Sequence, residues 1–245
     1  MYPAVRLMLA YFNKILCRMK SIRLIGAVVL AAAVFSSCKK QPEPVSDSFY
    51  YDVPGTYTFT PDADNVTANI IVIGGGGGGG GGATYAGSSF GTGGGGGGGA
   101  GQVLSFENVP FETGVTYTLV VGAGGDGGNT DANGADGEAS YIATSGNRLY
   151  EALPGQGGRR GNDQAGGFGG NGYPNGDDGT NGKTAQGGLA NSGYGGVGGD
   201  NDAGHGLGGV GGKGTSVYLN QSGSPADPGN AGTGGYIRVE WNGEK

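Results

Sequence analysis

The strongest constraint on the fold is a junction at which an apolar run enters a glycine tract directly. Ile70-Ile71-Val72-Ile73 is followed at once by nine glycines, Gly74 to Gly82. Four β-branched residues in succession predict a buried strand. Glycine loses more backbone entropy on ordering than any other residue, so the tract disfavours both strand and helix. The tract must therefore be disordered or be packed by something other than side chains.

Glycine-poor segments between the tracts have the alternation of β-strands. In the last of them, Ile237, Val239 and Trp241 fall on one face, which we expect to face the core. No helical period follows residue 40. Eight or nine short strands predict an all-β domain, a two-sheet, jelly-roll-like sandwich. The main predicted strands are 56–60, 68–73, 102–106, 115–121, 139–143, 148–152, 215–219 and 236–241.

The longest glycine tract has a period of three. The chain has 62 glycines in 245 residues, and the 26 glycines of 154–214 fall 12, 11 and 3 when sorted by residue number modulo three. Three residues per turn is the geometry of polyproline II, which has no internal hydrogen bonds. We therefore predict an inserted bundle of polyglycine-II helices whose backbones bond to one another. The third column carries the side chains, among them Arg159, Phe168, Asn171, Asp177, Leu189, Leu207 and Val210.

A glycine-rich tract has two other possible structures, collagen and a disordered linker. Collagen needs one unbroken Gly-X-Y frame and abundant proline, whereas this tract has glycine doublets and little proline. A disordered linker is the more serious alternative. Against it, each tract is flanked by strands that must return to the same sandwich, and long structureless excursions are uncommon in compact domains.

The first forty residues have the pattern of an export signal. Met19-Lys20-Ser21-Ile22-Arg23 is positively charged, Leu24 to Phe35 is apolar, and Ser36-Ser37 precede Cys38. The apolar stretch is too short to span a bilayer comfortably. We therefore predict a signal peptide at 1–37, with Met19 as the true start, a lipidated tether at 38–48 and a glycine-rich β-sandwich domain at 49–245.

The residues around Cys38 resemble the bacterial lipoprotein signal. That resemblance implies cleavage before Cys38 and attachment of lipid, including palmitate, to its thiol. It implies an outer-membrane lipoprotein of the Bacteroides-group type, and Lys39-Lys40 leave open whether it faces the cell surface or the periplasm. An uncleaved membrane anchor with an incidental cysteine is the alternative.

Charge excludes one class of partner. Without the five basic residues that precede Cys38, nine basic and twenty acidic residues remain, a net charge of −11. Nucleic-acid binding needs clusters of Lys and Arg to displace counterions, so nucleic acid is not expected as a partner.

Four segments together resemble a known family. They are Gly55 to Thr60, Ala68 to Gly82, Gly101 to Gly125 and Gly234 to Trp241. They are similar to the glycine-rich domain of phage and bacterial surface proteins, which has a "G-x-Y-x-F" strand, a "V-x-V-x-G-x-G-G-G" run and a closing "G-G-x-G-x-V-x-I" strand. Similar regions occur in anaplastic lymphoma kinase and in T-even tail-fibre adhesins. The resemblance covers about 50–243 and implies a β-sandwich with a polyglycine-II bundle that acts in binding and adhesion, although no contact residue transfers by motif.

Motifs for chemistry are sparse, so no enzyme and no cofactor are expected. His205 has no second histidine to share a zinc ion with, and we expect it to be a solvated tip residue. Gly182-Lys183-Thr184 lacks the first glycine of a phosphate-binding loop, because residue 177 is Asp. A calcium loop is the one metal site that the sequence leaves open. Its ligands would be Asn129, Asp131, Asn133 and Asp136, and a solvated acidic turn is the alternative.

Aromatic residues within the glycine tracts are the better candidates for ligand contacts. Exposed aromatics at loop tips often contact carbohydrate or protein, and the alternative is that they seal the ends of glycine helices. The candidates are Phe168, Tyr173, Tyr194, Tyr85 and Phe90. The sequence thus predicts a lipid-anchored protein that binds a glycan or protein, or else a structural spacer without a specific ligand.

Overall fold

The chain is an all-β protein. The computed structural model describes residues 42–84, 91–163, 165–177, 189–190, 192–218, 221–222 and 224–245. Within this part there are strands and no helix, and nothing that could cross a membrane as a helix. The strands are β1 Pro44–Tyr51, β2 Gly55–Phe59, β3 Asp64–Ile73, β4 Val103–Pro110, β5 Tyr117–Val121, β6 Ser140–Thr144, β7 Asn147–Ala152, β8 Leu189–Ala190, β9 Val217–Tyr218, β10 Gln221–Ser222 and β11 Tyr236–Glu244.

Eight of these strands form two four-stranded antiparallel sheets. One sheet has the order β1-β11-β3-β4 and the other β2-β5-β6-β7, while β8, β9 and β10 form a small separate sheet. Side chains of both large sheets contribute to one hydrophobic core. The predicted all-β fold is thus confirmed, and eight is the number of strands that jelly-roll sandwiches have.

The core contains the residues that alternation placed there. Ile237, Val239 and Trp241 are buried on one face of β11, as predicted. Leu119 is buried in β5, and Phe111 meets the ring of Tyr117 edge-on with centroids 4.6 Å apart. Such edge-to-face pairs are a preferred aromatic geometry in cores. Side chains therefore hold this half of the molecule together.

All three glycine-rich insertions leave the sandwich and return to it at one end. They join β3 to β4, β5 to β6, and β7 to β11. Ile73, the last residue of β3, pairs with Val103 on one side and with Tyr236 on the other, so these junctions lie next to each other. We call this the bundle end.

The chain enters the domain at the opposite end, through a strand that the sequence analysis missed. Residues 44–48 were expected to belong to a tether, but β1 begins at Pro44, which pairs with Glu244 at the far end of β11. The first sandwich strand therefore begins five residues before the predicted domain boundary at residue 49. Proline is tolerated there because it is the first residue of an edge strand. We call this the entry end.

Candidate functional site: the glycine bundle and its outer surface

The glycine insertions pack together into one structure, the glycine bundle. In the described residues it consists of ten extended segments that lie side by side and are bonded through their backbones. The segments are g1 (74–83), g2 (91–102), g3 (122–131), g4 (132–139), g5 (153–163), g6 (165–173), g7 (174–177), g8 (192–200), g9 (206–215) and g10 (227–235).

The backbone of g1 is bonded to six neighbouring segments. Gly77 donates its N–H to g2, Gly78 to g4 and Gly79 to g10, with N···O distances of 2.8–2.9 Å, and Gly80 returns to g2. The carbonyl groups of g1 accept from g3, g5 and g9 with the same period of three. All ten consecutive N–H groups of g1 therefore have backbone acceptors.

Segment g2 repeats this arrangement. It donates to g5, g7 and g9 and accepts from g1, g6 and g8. The bundle thus has two central segments, g1 and g2, each surrounded by six others, and eight outer segments. The period of three in these hydrogen bonds is the period found in the sequence of 154–214.

The glycine runs of the central segments, 74–82 in g1 and 93–99 in g2, leave no space for a side chain. A Cβ atom placed on Gly78 would lie 2.0 Å from the carbonyl oxygen of Asp126, and one on Gly97 would lie 2.1 Å from that of Val197. The obstructing atoms are backbone, so they cannot rotate away. Glycine is required at 74–82 and 93–99 because these runs approach their neighbours at backbone contact.

Outer segments such as g5 bury one residue in three. In g5, Gly155, Gly158 and Gly161 are buried against the central segments, while Gln156 and Arg159 are exposed. This confirms the prediction that glycine columns face neighbours and a third column carries the side chains. The other predicted third-column residues are exposed or half-buried, namely Phe168, Asn171, Asp177, Leu207 and Val210, and the side chain of Leu189 lies outside the described residues.

The candidate aromatics lie along the flanks of the bundle. Phe168, in the middle of g6, is 72% exposed, and Tyr194, within g8, is 69% exposed. The sequence predicted positions at loop tips, but both residues lie within extended segments. Tyr173 is 46% exposed at the bend between g6 and g7. Tyr85 and Phe90 lie outside the described residues, as does Cys38.

Each of the four calcium candidates is bonded to a different backbone N–H group. The carbonyl oxygen of Asn129 accepts a 2.9 Å bond from the N–H of Ala132 in the turn between g3 and g4. The other three use their side chains to cap backbone N–H groups, from Thr84 N to Asp131 Oδ1 (2.9 Å), from Arg160 N to Asn133 Oδ1 (2.9 Å) and from Gly157 N to Asp136 Oδ1 (2.8 Å). In the described part of the chain no three His, Cys, Asp or Glu residues are grouped to hold a metal ion.

His205 is not the solvated tip residue that was expected. Its ring stacks on Tyr236 with centroids 4.5 Å apart and planes 16° apart, so it is half-buried. Tyr50 stacks on Tyr236 from β1 at 6.1 Å. The histidine thus covers the start of β11 at the bundle end.

One groove on the bundle has lining residues that suit a ligand. It crosses g4, g5 and g6 and has a volume of about 400 Å³. It combines an aromatic ring, aliphatic side chains, two amides and a carboxylate. The lining residues are Asp136, Leu153, Pro154, Gln156, Asn171, Gly172 and Tyr173.

Residues 52–244 match the model of a family described as glycine-rich domain. The chain belongs to the glycine-rich domain family. The match starts three residues before β2 and ends with β11, so it includes every sandwich strand except β1, and the bundle. No curated protein matches the chain.

The sequence analysis missed two features of this glycine-rich domain. The first is the capping of outer N–H groups by Asn and Asp, for which the signal was their spacing in 131–136. The second is the groove, because among its lining residues only Tyr173 was a candidate for ligand contact, while Asp136 was assigned to a calcium loop. Its three walls come from parts of the chain that no local pattern connects.

Proposed function

We propose that the chain is a lipid-anchored outer-membrane protein whose glycine-rich domain binds a glycan or protein through side chains on a rigid bundle. Lipid attachment at Cys38 is supported by the charge, length and small residues that precede it. The side of the membrane is open between the cell surface and the periplasmic face.

The single observation that carries the binding proposal is the contrast between backbone and side chains in the bundle. The backbone is bonded from segment to segment, so it has little need of side chains for its own stability. Yet its outer columns display large apolar groups, including Phe168 and Tyr194. Large exposed aromatics on a rigid frame lose little entropy on binding and often supply most of the binding energy.

The position of the bundle supports display away from the membrane. The tether joins the domain at Pro44, and β11 runs from that end to the bundle end. Its nine residues span about 30 Å at roughly 3.3 Å per residue. We propose that the segments of the glycine bundle are polyglycine-II helices, because they bond to their neighbours with a period of three.

Adherence of cells that display the protein tests the binding proposal. We expect the triple variant Phe168→Ala, Tyr173→Ala, Tyr194→Ala to lose adherence while its urea midpoint stays close to that of the natural chain. A matched control replaces three exposed residues of the sandwich, Tyr50, Val53 and Leu149, with Ala. Equal adherence of the natural chain and the triple variant would contradict binding through these aromatics.

Lipid attachment has its own test. Labelled palmitate is expected in the natural chain and absent from Cys38→Ser, whereas Cys17→Ser should be labelled as strongly as the natural chain. Label in Cys38→Ser would contradict the assignment. Protease treatment of intact cells then separates a surface position from a periplasmic one.

The second candidate is a structural spacer with no specific ligand. It is favoured by the small and acidic side chains on the outer side of g3 and g4, such as Asp126 and Ala135, which offer no anchor. A spacer would keep its place in the envelope in the triple aromatic variant. We propose no catalytic role, and turnover that His205→Ala abolishes would contradict that.

A further inference from the structure

The groove across g4, g5 and g6 has two chemically different sides. Leu153, which is 45% exposed, and Pro154 contribute aliphatic surface, and Tyr173 contributes an aromatic ring. Asp136, Gln156 and Asn171 contribute polar groups. A volume of about 400 Å³ is within the roughly 300–1,000 Å³ of small-molecule sites.

The backbone around the groove is fixed before any ligand arrives. Tyr173 donates its N–H to the carbonyl of Ala100 in g2 at 2.8 Å. The bend that contains Tyr173 is closed by the N–H of Gly172, which donates to Asn175 Oδ1 at 2.8 Å. A ring carried on such a backbone is already placed, so binding costs little ordering entropy.

The polar side chains of the groove are each held by one hydrogen bond and keep further hydrogen-bonding capacity. Asn171 Nδ2 donates to Gln156 Oε1 at 3.0 Å, and Asp136 Oδ1 accepts from the N–H of Gly157. No described residue bonds to Gln156 Nε2, Asn171 Oδ1 or Asp136 Oδ2. The groove therefore offers both a donor and acceptors to a ligand group that can do both, such as a hydroxyl.

Other ligand classes fit less well. An anion would meet the Asp136 carboxylate, with no basic residue among those that line the groove. A calcium ion takes six to eight oxygen ligands, and the groove has one carboxylate. A wholly apolar ligand would strip water from the two amides and the carboxylate without replacing their hydrogen bonds.

We propose that this groove binds a neutral pyranose unit of a glycan, with the apolar face of the sugar against Tyr173, Leu153 and Pro154 and its hydroxyls on the polar side. This inference rests on the proposed binding function and names its ligand class and site. Sugar rings combine an apolar C–H face with a rim of hydroxyls, which matches the two sides of the groove. Gln156 and Asn171 would bond adjacent hydroxyls, and Asp136 would accept from a third.

The test uses the full-length chain in a detergent without a sugar headgroup. It is applied to immobilised neutral hexose and N-acetylhexosamine glycans, to matched sialylated glycans and to an immobilised peptide library. We expect binding to neutral glycans to weaken about tenfold or more in Tyr173→Ala and in Gln156→Ala. Tyr173→Phe keeps the ring and should bind within a few-fold. Leu149→Ala, an exposed apolar position on β7 outside the groove, is the matched control and should bind neutral glycans as the natural chain does.

Each outcome decides the proposal. Neutral-glycan binding that Tyr173→Ala and Gln156→Ala weaken supports it. If Tyr173→Ala fails to fold, the Gln156→Ala result decides alone. Preference for sialylated glycans, binding to peptides in place of glycans, or glycan binding that neither variant changes would overturn it. If adherence persists and depends on Phe168 and Tyr194 but not on Gln156, the groove proposal fails while the proposed binding function stands.

Discussion

The sandwich and the glycine bundle are packed by opposite means within one domain. In the sandwich, side chains such as Leu119 and Val239 fill the space between two sheets, and the strands are hydrogen-bonded within each sheet. In the bundle, the backbone of g1 packs directly on the backbones around it, and its hydrogen bonds run to six surrounding segments. Hydrophobic burial stabilises the first, and backbone hydrogen bonding at close approach stabilises the second.

This difference determines where each region tolerates change. A core of side chains tolerates swaps that conserve volume, because neighbours can repack. A core of backbone cannot repack, because a Cβ would meet carbonyl oxygens fixed by their own hydrogen bonds. The outer columns of the bundle should tolerate substitution, since their side chains are mostly exposed. A bundle of this kind can vary its surface without changing its interior.

The largest expected effect is from one methyl group in a central segment. Gly78→Ala should destabilise the domain by about 4 kcal/mol or more, because the new Cβ would lie 2.0 Å from the Asp126 carbonyl oxygen. Gly55→Ala in β2 is the matched control. Its Cβ would lie 3.5 Å from the nearest atom, so we expect a change within about 1 kcal/mol. Urea unfolding measures both, and equal midpoints would break the comparison.

The next effect separates volume from chemistry in the sandwich. Leu119 is 1% exposed, so Leu119→Ala should cost about 2–5 kcal/mol through lost burial and a cavity. Leu119→Met conserves volume and should cost less than about 1.5 kcal/mol. If Met were as costly as Ala, the sandwich would share the rigidity that we assign to the bundle.

A smaller effect is expected where side chains cap the outside of the bundle. Asn133→Ala removes the acceptor for the N–H of Arg160 and should cost about 0.5–1.5 kcal/mol. Amide exchange at Arg160 should become faster, with little change at Gly158, which donates to g1. The control is Asp126→Ala, which removes another exposed polar side chain from the outside of the bundle. Unchanged exchange at Arg160 would show that the cap does not protect this amide.

The smallest effect concerns charge at the entry end. Lys245 Nζ lies 2.6 Å from Asp62 Oδ2 and lowers the pKa of that carboxyl below its ordinary value. A lowered pKa stabilises the fold above the ordinary Asp pKa of about 3.9 and the stabilisation is lost as the pH falls through the folded value. Both groups are exposed, so Lys245→Ala should hardly change the urea midpoint at neutral pH. A large change in the urea midpoint at neutral pH, or a change that grows as the pH is lowered, would contradict this.

Much of the fold follows from sequence because it depends on local periodicity. Alternation placed Ile237 and Val239 in the core, and the period of three placed Arg159 and Phe168 on the outer column. β1 was missed because its exposed Ser46, Asp47 and Ser48 lack a strong strand pattern, and its pairing with β11 joins the two ends of the domain.

Which segments neighbour each other could not be predicted. Nine identical glycines in g1 contain no information on which of six neighbours each one meets. The groove was hidden for the same reason, since Asp136, Gln156 and Tyr173 become adjacent only after g4, g5 and g6 are assembled. Asp136 also seemed a calcium ligand from sequence, whereas its carboxylate caps Gly157.

Amide hydrogen exchange on the full-length chain tests most directly the claim that the glycines form a backbone-bonded core. In g1 all ten consecutive N–H groups, 74–83, donate to backbone carbonyls, so all ten should exchange as slowly as those of β3. In g3 the N–H groups of Gly125 and Gly128 donate to g1, whereas those of Asp126 and Gly127 have no backbone acceptor among the described residues, so protection there should recur at every third residue. Fast exchange throughout 74–83, or uniform exchange across 125–128, would contradict the account.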